Sequence, residues 1–310
     1  MFELNKIIYI ISDEKDQTTN KIFEWLIHYK KQFRRIQSNN QLGEILNSYL
    51  NQELNSIYYR KPLNQIDNVS NDLIEVTVKE HLNEEFNDLI DYLFSRKEIK
   101  TLGEFGLYKL NRLKVLKIAK KCGLVIPNFC IVNTKTELLL FFQKLKNPES
   151  VIIKSISDGV SLNINGKIYG TYTEELFFKN LNIIPDDFMP MLIMETIVKI
   201  YEIRIFYLCG KFYSVCIFTQ NNTNTKVDSR RAENSYPNRI VPYKLPVEIE
   251  SKLVKVFNKL NINTGSVDLL YNTRGEYIFL EINPCGQFQM NSNMCNYYLE
   301  REIAKFLINE

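Results

Sequence analysis

Residues 277–290, YIFLEINPCGQFQM, are the part of this sequence that most restricts its fold and its chemistry. The apolar run predicts a buried β-strand, and Pro284 and Gly286 predict the end of that strand. Side chains two positions apart in a strand point to the same face, so Glu281 and Asn283 would leave the sheet side by side. This spacing indicates either a solvated strand face or part of a metal site.

A second strand is predicted directly before this one, in the hairpin SVDLLYNTRGEYIFLEIN. A four-residue turn would pair Asn272 with Tyr277 and, counting outward, set Asp268 opposite Glu281 at about 4.5–5.5 Å. Two facing carboxylates repel each other unless a proton or a cation lies between them. Together with Asn283 they form a set of hard oxygen ligands, which favours Mg²⁺ completed by water and phosphate oxygens. The hairpin therefore predicts a magnesium site and phosphate chemistry.

Length and composition predict a globular protein with a large core. The chain has 310 residues, of which 45% are hydrophobic, enough for two or three lobes or one large α/β unit. Its 39 basic and 36 acidic residues leave a formal net charge of +3, which gives no strong field for nucleic acid or an anionic membrane. We therefore expect neither of these as a partner.

Several other kinds of protein and site are disfavoured. The sequence lacks an apolar run of the roughly 18 to 20 residues that a membrane span needs, and its N-terminus lacks a cleavage-like segment, so we expect a cytoplasmic protein. Six cysteines without a CxxC pair indicate buried free thiols rather than a structural zinc site. The presence of only two histidines argues against a histidine-based metal centre or a Ser-His-Asp triad.

Alternating strand and helix patterns predict an α/β protein. A strand over residues 6–12 and an amphipathic helix over 19–31 begin a first lobe that extends to about residue 100. The segment RLKVLKIAKKCGL predicts a helix that ends at Gly123. Beyond it, the hairpin LNINGKIYGTYT, the strand MLIMETIV and two strands around CGK predict antiparallel sheet. Residues 221–238 are a long polar stretch, which is typical of a functional or disordered loop.

Five motifs resemble, in order and spacing, those of the ATP-grasp ligases: NRLKVLKIAKKCGLVIP, VIIKSISDG, MLIMETIVKIYEIRIF, TGSVDLL and FLEINPCGQF. Ligases of this superfamily activate a carboxylate as an acyl phosphate and pass it to an amine or a hydroxyl. The resemblance covers about residues 111–307 and implies ATP and Mg²⁺ as cofactors, with ATP converted to ADP and phosphate. It also implies an α/β (α+β) ATP-grasp fold, with an N-terminal α/β domain over 1–110 and two antiparallel-sheet subdomains over 111–197 and 198–310 that grip the nucleotide.

Within the superfamily, the sequence resembles the graspetide synthetases of the grasp-with-spasm and microviridin types. The segments TKVDSR, NRIVPYKLP, EINPCGQFQMNS and CNYYLEREIA carry this narrower likeness, as does the opening IISDEKDQTTNKIFEWL. Such enzymes close ester or amide bridges between Asp or Glu and Ser, Thr or Lys side chains of a ribosomal precursor peptide. The resemblance implies a precursor with a leader and an acidic core as partner, and a radical SPASM-type enzyme in the same pathway. It leaves open the choice of ester or amide and whether the chain forms a homodimer.

The resemblance also implies roles in nucleotide binding for individual residues. Lys154 and Arg112 would contact the phosphates, with Arg112 standing where the family usually has a lysine, so that the charge is kept and its geometry changes. Glu195 and the backbone near Ile197 and Val198 would meet the adenine at a hinge between the subdomains. An ordinary exposed lysine at a strand end is the alternative for Lys154.

Further roles concern the ribose, the phosphoryl group and the substrate. Glu202 would bind the ribose hydroxyls, and Arg204, on the same strand face, would stabilise the transferred phosphoryl group and the acyl phosphate. Asp228, Arg230 and Arg231 would lie over the site, where a guanidinium fork suits the carboxylate of a substrate Asp or Glu. The alternatives are a surface ion pair between Glu202 and Arg204, and a charged loop without a partner.

Two other functions are compatible with these patterns. The chain could be an ATP-grasp ligase that adds a free amino acid to a carboxylate substrate, or a nucleotide- and peptide-binding protein without catalysis. The intact set of Asp268, Glu281, Asn283 and Arg204 argues against the second. Gln287, just past the predicted strand end, is a further candidate for substrate contact.

Overall fold

The computed structural model describes most of the chain between residues 6 and 309. The residues in this span that it does not describe are 39–40, 62, 64–72, 108, 147, 157–160, 165–166, 171–172 and 220–237. At 73, 161–164 and 167–170 the backbone alone is described. Among the described helices, none combines the length and the apolar character that crossing a membrane requires.

The N-terminal part of the chain alternates strands and helices. Its elements are β1 Ile7–Ile11, α1 Gln17–His28, β2 Gln32–Ile36, α2 Leu42–Leu50, β3 Leu54–Tyr59, α3 Leu73–Ser95 and β4 Lys100–Leu102. The four strands form a parallel sheet in the order β2-β1-β3-β4. The predicted first strand is confirmed, and its side chains from Ile8 to Ile11 are buried because this central strand has covered faces.

Helix α1 ends earlier than the apolar pattern indicated. The helix predicted over 19–31 ends at His28. Lys30 has a positive φ of 54°, and the amide of Lys31 donates to the carbonyl of Leu26 at 3.0 Å. This left-handed turn closes the helix as a Schellman motif does, although the residue with positive φ is not glycine.

The central part of the chain is largely antiparallel sheet. Its elements are α4 Arg112–Lys121, β5 Phe129–Thr134, α5 Lys135–Lys144, β6 Ser150–Lys154, β7 Ser161–Ile164, β8 Lys167–Gly170, β9 Glu174–Phe177, a 3₁₀ helix Phe178–Ile183 and β10 Asp187–Glu195. Strands β5-β10-β6-β9 form one sheet, and β7 and β8 form the predicted hairpin. Asn111 caps the start of helix α4, since its side chain accepts from the amide of Lys114 at 3.0 Å, and the helix ends before Gly123, which has a φ of 85°.

The C-terminal part contains the largest sheet. Its elements are β11 Lys199–Leu208, β12 Lys211–Phe218, β13 Arg239–Tyr243, α6 Val247–Leu260, β14 Thr264–Asn272, β15 Tyr277–Asn283, α7 Gln289–Cys295 and α8 Leu299–Ile308. The five strands are antiparallel and lie in the order β13-β12-β11-β14-β15. The predicted strand pair around CGK is therefore confirmed as β11 and β12.

Alternation along β11 separates the hydrophobic core from a polar face. Ile203 and Ile205 are buried in a cluster with residues of α4 and α6, such as Phe257. Because successive side chains of a strand point to opposite faces, Glu202 and Arg204 lie on the other side of the sheet. The core that fixes this sheet therefore also fixes the direction of two charged side chains.

The turn between β14 and β15 differs from the predicted one. The prediction paired Asn272 with Tyr277, whereas Tyr271 pairs with Tyr277 in the structure. Asn272 closes the turn instead, because its side-chain oxygen accepts from the backbone amides of Arg274 and Glu276 at 2.9 Å each. Asn side chains often compete with backbone pairing in this way. The predicted register at the turn is therefore wrong by one residue.

A β-bulge restores the predicted register further along the hairpin. Leu269 lies opposite Phe279, yet Asp268 lies opposite Glu281, so Leu280 is an extra residue on β15. The predicted pairing of the two carboxylate residues is confirmed, although the turn geometry from which it was counted was wrong.

Candidate active site

A cleft of about 740 Å³ lies between the sheet that contains β10 and the sheet that contains β11. A cavity of this size is typical of a small-molecule or cofactor site. Nine residues predicted for the nucleotide, the phosphoryl group or the metal line it: Lys154, Glu195, Ile197, Val198, Glu202, Arg204, Asp268, Glu281 and Asn283. They come from β6, β10, β11, β14, β15 and the connection between β10 and β11.

Arg204 and Asp268 form a bidentate ion pair across β11 and β14. Arg204 Nε lies 3.0 Å from Asp268 Oδ1, and its Nη2 lies 3.2 Å from Oδ2. The two residues are direct cross-strand partners, which explains the parallel alignment of fork and carboxylate. The negative charge of Asp268 raises the pKa of Arg204. The alternative of a surface ion pair between Glu202 and Arg204 is therefore wrong, since each pairs with another residue.

The carboxylate of Glu281 contacts two cations, Lys154 of β6 and Arg112 of α4. Its Oε2 is 3.3 Å from Lys154 Nζ and 3.4 Å from Arg112 Nη2. Arg112 is held in turn by a hydrogen bond to the carbonyl of Ser155. Lys154 and Arg112, which were predicted to contact phosphates, therefore both contact Glu281, which was predicted to bind a metal ion. The side chain of Lys154 is only 14% exposed, which contradicts the alternative of an ordinary exposed lysine.

Glu202 pairs with Lys199, a residue that the sequence analysis missed. The side chain of Lys199 is 7% exposed, and its ammonium group contacts the Glu202 carboxylate within the cleft. Residues three apart in a regular strand point to opposite faces, but the pairing of β11 with β14 shifts by one residue between Lys199 and Tyr201. This irregularity places the side chains of Lys199 and Glu202 on the same, cleft-facing side of the sheet. Counting residues along an ideal strand would not predict this arrangement.

The connection between β10 and β11 forms the wall predicted for adenine. The Glu195 carboxylate accepts from the backbone amide of Asn128 at 3.1 Å and from its side-chain amide at 2.6 Å. The carbonyl of Val198 accepts from the amide of Thr273 at 3.3 Å. Glu195, Ile197 and Val198 all line the cleft, and the role of these residues at a nucleotide base stays a prediction.

The oxygen ligands predicted for Mg²⁺ are neighbours on β14 and β15. Asp268 lies opposite Glu281, and Asn283 follows two residues later on the same face. Two carboxylates and one amide oxygen fit Mg²⁺, which uses few protein carboxylates and fills its shell with water and phosphate oxygens. In the described part of the chain, no group of three or more His, Cys, Asp and Glu residues is placed to hold a metal ion, so this candidate set depends on Asn283.

Arg60 is a second charged residue that the sequence analysis missed. It follows β3, is 1% exposed, and places its Nε 3.2 Å from Asp16 Oδ2. A buried arginine is rare unless it is paired, and the local pattern SIYYRKPL gives no sign of the distant carboxylate.

The predicted substrate residues Asp228, Arg230 and Arg231 lie outside the described residues. Their predicted contact with a substrate carboxylate stays a prediction.

The sequence matches no family model. No curated protein matches it either.

Solved structures match nearly the whole chain. One is a RiPP-associated ATP-grasp ligase from Chryseobacterium gregarium in complex with ADP and a leader and core peptide, with 19% identity, a TM-score of 0.78, and coverage of 98% of this chain and 97% of that chain. Another is the macrocyclase MdnC bound with precursor peptide MdnA from Microcystis aeruginosa MRC, with 17% identity, a TM-score of 0.75, and coverage of 97% and 99%. A third is the ATP-grasp ligase PsnB complexed with precursor peptide PsnA2 and AMPPNP, with 14% identity, a TM-score of 0.73, and coverage of 100% and 98%.

At these identities the similarity establishes the fold. The chain has the ATP-grasp fold, and the predicted α/β fold class is confirmed. The likeness to ATP-grasp ligases of ribosomal peptides, noted in the motifs, extends in the structure from the N-terminal sheet to α8.

Proposed function

We propose that this protein is an ATP-dependent macrocyclase that forms ester or amide bonds between Asp or Glu and Ser, Thr or Lys side chains of one ribosomal precursor peptide. The observation that carries the proposal is the cleft in which Arg204 pairs with Asp268 and Lys154 pairs with Glu281, with Arg112 as a second cation on the Glu281 carboxylate. A peptide substrate is supported by the similar structures, which contain a leader and core peptide or a precursor peptide.

The nucleotide would extend from the hinge toward the cations. Glu195 and the backbone of Ile197 and Val198 would meet the adenine, and Glu202, at the start of β11, would receive the ribose hydroxyls. Lys199 orients Glu202, since their ion pair is largely buried. Lys154 and Arg112 would then contact the phosphates, and their shared contact with Glu281 supports a position for both at the same end of the nucleotide.

The charged groups named for the phosphate end of the site pair with one another without a ligand, and one positive charge remains in excess because two cations share Glu281. Arg204 neutralises Asp268, and Lys154 and Arg112 neutralise Glu281. Asp268, Glu281 and Asn283 would hold Mg²⁺, which when bound supplies positive charge to the phosphate oxygens. Arg204, Lys154 and Arg112 would then contact both the carboxylates and the phosphate oxygens. Because their ion pairs already exist without ATP, the site is organised before ATP enters.

The proposed reaction has two steps. First, a carboxylate oxygen of a substrate Asp or Glu attacks the terminal phosphorus of ATP, the bond to ADP breaks, and an acyl phosphate forms. Second, a hydroxyl or amine of the same peptide attacks the acyl carbon, loses its proton, and expels phosphate. Arg204 would stabilise the charge of the phosphoryl group in the first step and of the leaving phosphate in the second. The peptide loses the mass of one water for each bridge.

The partners follow from this reaction. We infer a precursor with a leader and an acidic core, with Asp228, Arg230 and Arg231 facing the core carboxylates. A radical SPASM-type enzyme in the same pathway, a cytoplasmic location and a homodimer belong to the same proposal. So does the division into an N-terminal domain over 1–110 and two ATP-grasp subdomains over 111–197 and 198–310.

Mass spectrometry of a cognate precursor incubated with enzyme, ATP and Mg²⁺ tests the proposal. We expect the loss of one water per bridge, formation of one ADP per bridge, and fragmentation that locates each bridge between an acidic residue and Ser, Thr or Lys. Omitting ATP is the control. A product that gains the mass of an amino acid would favour the free-amino-acid ligase, and nucleotide binding without any turnover would favour the non-catalytic protein.

A further inference from the structure

Arg60 connects the N-terminal sheet to the turn that follows β15. Its Nη1 donates to the carbonyls of Cys285 at 2.8 Å and Gly286 at 3.2 Å, and its Nη2 donates to Gln287 Oε1 at 3.0 Å. Its Nε faces Asp16, so each of its three nitrogens has a partner. Since Arg60 is almost fully buried, these contacts are shielded from water and hold the turn firmly.

The turn is also held from the side of β14. A Cβ atom on Gly286 would lie 2.2 Å from Ser266 Oγ and 2.4 Å from Ser266 Cβ. Glycine therefore permits an approach to the strand that a larger residue would prevent. The ring of Phe288 packs on Phe206 with 4.4 Å between centroids, which anchors the residues after the turn.

The contacts of Gln287 fix the direction of its carboxamide. Its Oε1 accepts from Arg60 Nη2 and, at 3.3 Å, from Thr18 Oγ1. A guanidinium group only donates hydrogen bonds, so the carboxamide oxygen must face Arg60. The Nε2 amide group then points away from Arg60. Because Gln287 is exposed and lines the cleft, this group is a hydrogen-bond donor available to a ligand.

The position of Gln287 identifies the ligand group that it would meet. Along the cleft face of β11, Glu202 lies nearest the connection between β10 and β11. Arg204 lies two residues further along, which is about 7 Å at a rise of about 3.3 Å per residue. Asp268 and Glu281 lie beside Arg204 on the neighbouring strands. Asn283 lies two residues beyond Glu281 on β15, opposite Ser266, and the turn that contains Gly286 begins after it.

Gln287 therefore lies beyond the residues assigned to the base, the ribose and the phosphates. In an in-line transfer, the group that accepts the phosphoryl lies past the terminal phosphate, on the side opposite the nucleotide. The acceptor in the proposed reaction is a substrate carboxylate. An N–H donor at this place matches a carboxylate oxygen, and the same oxygen becomes the carbonyl of the acyl phosphate.

We infer that Gln287 binds the substrate carboxylate that receives the phosphoryl group, donating from Nε2 to the oxygen that does not attack, and that Arg60 is the positioning residue that turns this amide into the cleft. The inference rests on the proposed function. It assigns a task to the N-terminal part of the chain, which supplies Arg60 after β3 and Asp16 and Thr18 at the start of α1, and so controls a substrate contact from outside the ATP-grasp sheets.

The substitution Gln287→Glu tests the donor directly. A glutamate can still accept from Arg60 and Thr18, so the turn should stay in place, but it donates nothing and adds a negative charge beside the substrate carboxylate. We expect kcat/KM for the precursor to fall about tenfold to a hundredfold, the range for losing a hydrogen bond to a charged group. The Kd for ATP and the melting temperature should be unchanged. Thr18→Val is the matched control, because it removes only the weaker contact to Oε1 and should have a small effect.

A double-mutant cycle tests Arg60. If Arg60 acts on the substrate through Gln287, Arg60→Lys should lower kcat/KM for the precursor in the wild-type background and have little further effect in a Gln287→Ala background. A purely structural role would lower stability and activity equally in both backgrounds. Should Arg60→Lys fail to fold, Gln287→Glu alone decides the inference.

The outcomes separate this inference from the proposed function. Wild-type protein that produces no ATP-dependent loss of water contradicts the proposed function and removes the inference with it. Active wild-type protein together with a Gln287→Glu variant of unchanged kcat/KM overturns the inference alone. A loss of ATP affinity equal to the loss in kcat/KM would also overturn it, because it would place Gln287 at the nucleotide.

Discussion

Replacing Arg204 by alanine should slow the chemical step strongly and weaken the fold only slightly. Arg204 makes two hydrogen bonds to Asp268, and the two side chains are 27% and 29% exposed. An ion pair with this much contact with water contributes about 1 kcal/mol or less to stability. For a chain of this length, that corresponds to a decrease in melting temperature of roughly 2–4 °C at most.

The expected effect on catalysis is much larger. A preorganised donor that stabilises developing charge typically contributes about a hundredfold to a thousandfold to kcat. Arg204 is preorganised because Asp268 holds its guanidinium plane in register across two strands. We therefore expect Arg204→Ala to lower kcat by at least about a hundredfold while the Kd for ATP changes little.

Single-turnover kinetics of precursor modification, equilibrium binding of ATP and thermal unfolding measure the three quantities separately. Arg204→Lys is the matched control: it keeps a charge near Asp268 without the bidentate fork and should retain part of the rate. The reasoning would be refuted if Arg204→Ala lost rate and ATP affinity by the same factor. A large decrease in melting temperature would refute the assignment of Arg204 to the reaction rather than to the fold.

Three further predictions concern other groups in and beside the cleft. Glu281→Gln should abolish turnover at ordinary Mg²⁺ concentrations without unfolding the protein, and a wild-type rate in a Mg²⁺ titration would contradict the metal assignment. Lys199→Met should lower the free energy of unfolding by about 3 kcal/mol because it leaves the Glu202 carboxylate without its largely buried partner, and adding Glu202→Gln should restore part of this in denaturant titrations. Gly286→Ala should cost about 1–3 kcal/mol through the clash with Ser266, and Ser266→Gly should relieve it in the double variant; equal stability of both alanine-containing variants would contradict this contact.

Local patterns predicted the individual elements well. The hairpin, the helix capped by Asn111 and the buried strand over 6–12 each depend on residues that are close in sequence. Side-chain periodicity and caps are local signals, so such elements can be read without knowledge of the tertiary structure. The motifs of the resemblance then placed the elements around one cleft.

Contacts between distant segments could not be predicted in the same way. Arg60 is 44 residues from Asp16 and 227 from Gln287, and no pattern around it records either partner. Likewise, the pairing of Arg204 with Asp268 instead of Glu202 depends on the register between β11 and β14. Such choices follow from tertiary packing, which decides which charges are buried together.

Two irregularities in the sheet determine the charge arrangement of the cleft. A regular β11 would direct Lys199 away from Glu202, and a regular hairpin counted from the observed Tyr271–Tyr277 pair would not set Asp268 opposite Glu281. Each irregularity inserts one residue into a strand, one in β11 and one in β15. The first brings Lys199 to the face of Glu202, and the second brings Glu281 opposite Asp268. Because bulges twist and redirect a strand at one point, the sheet can bury regular apolar faces against α4 and α6 and still gather its charged side chains on the cleft side. The site is therefore built by local departures from the strand geometry that forms the core, and a substitution that removed either bulge would disperse the charges while leaving the core sequence intact.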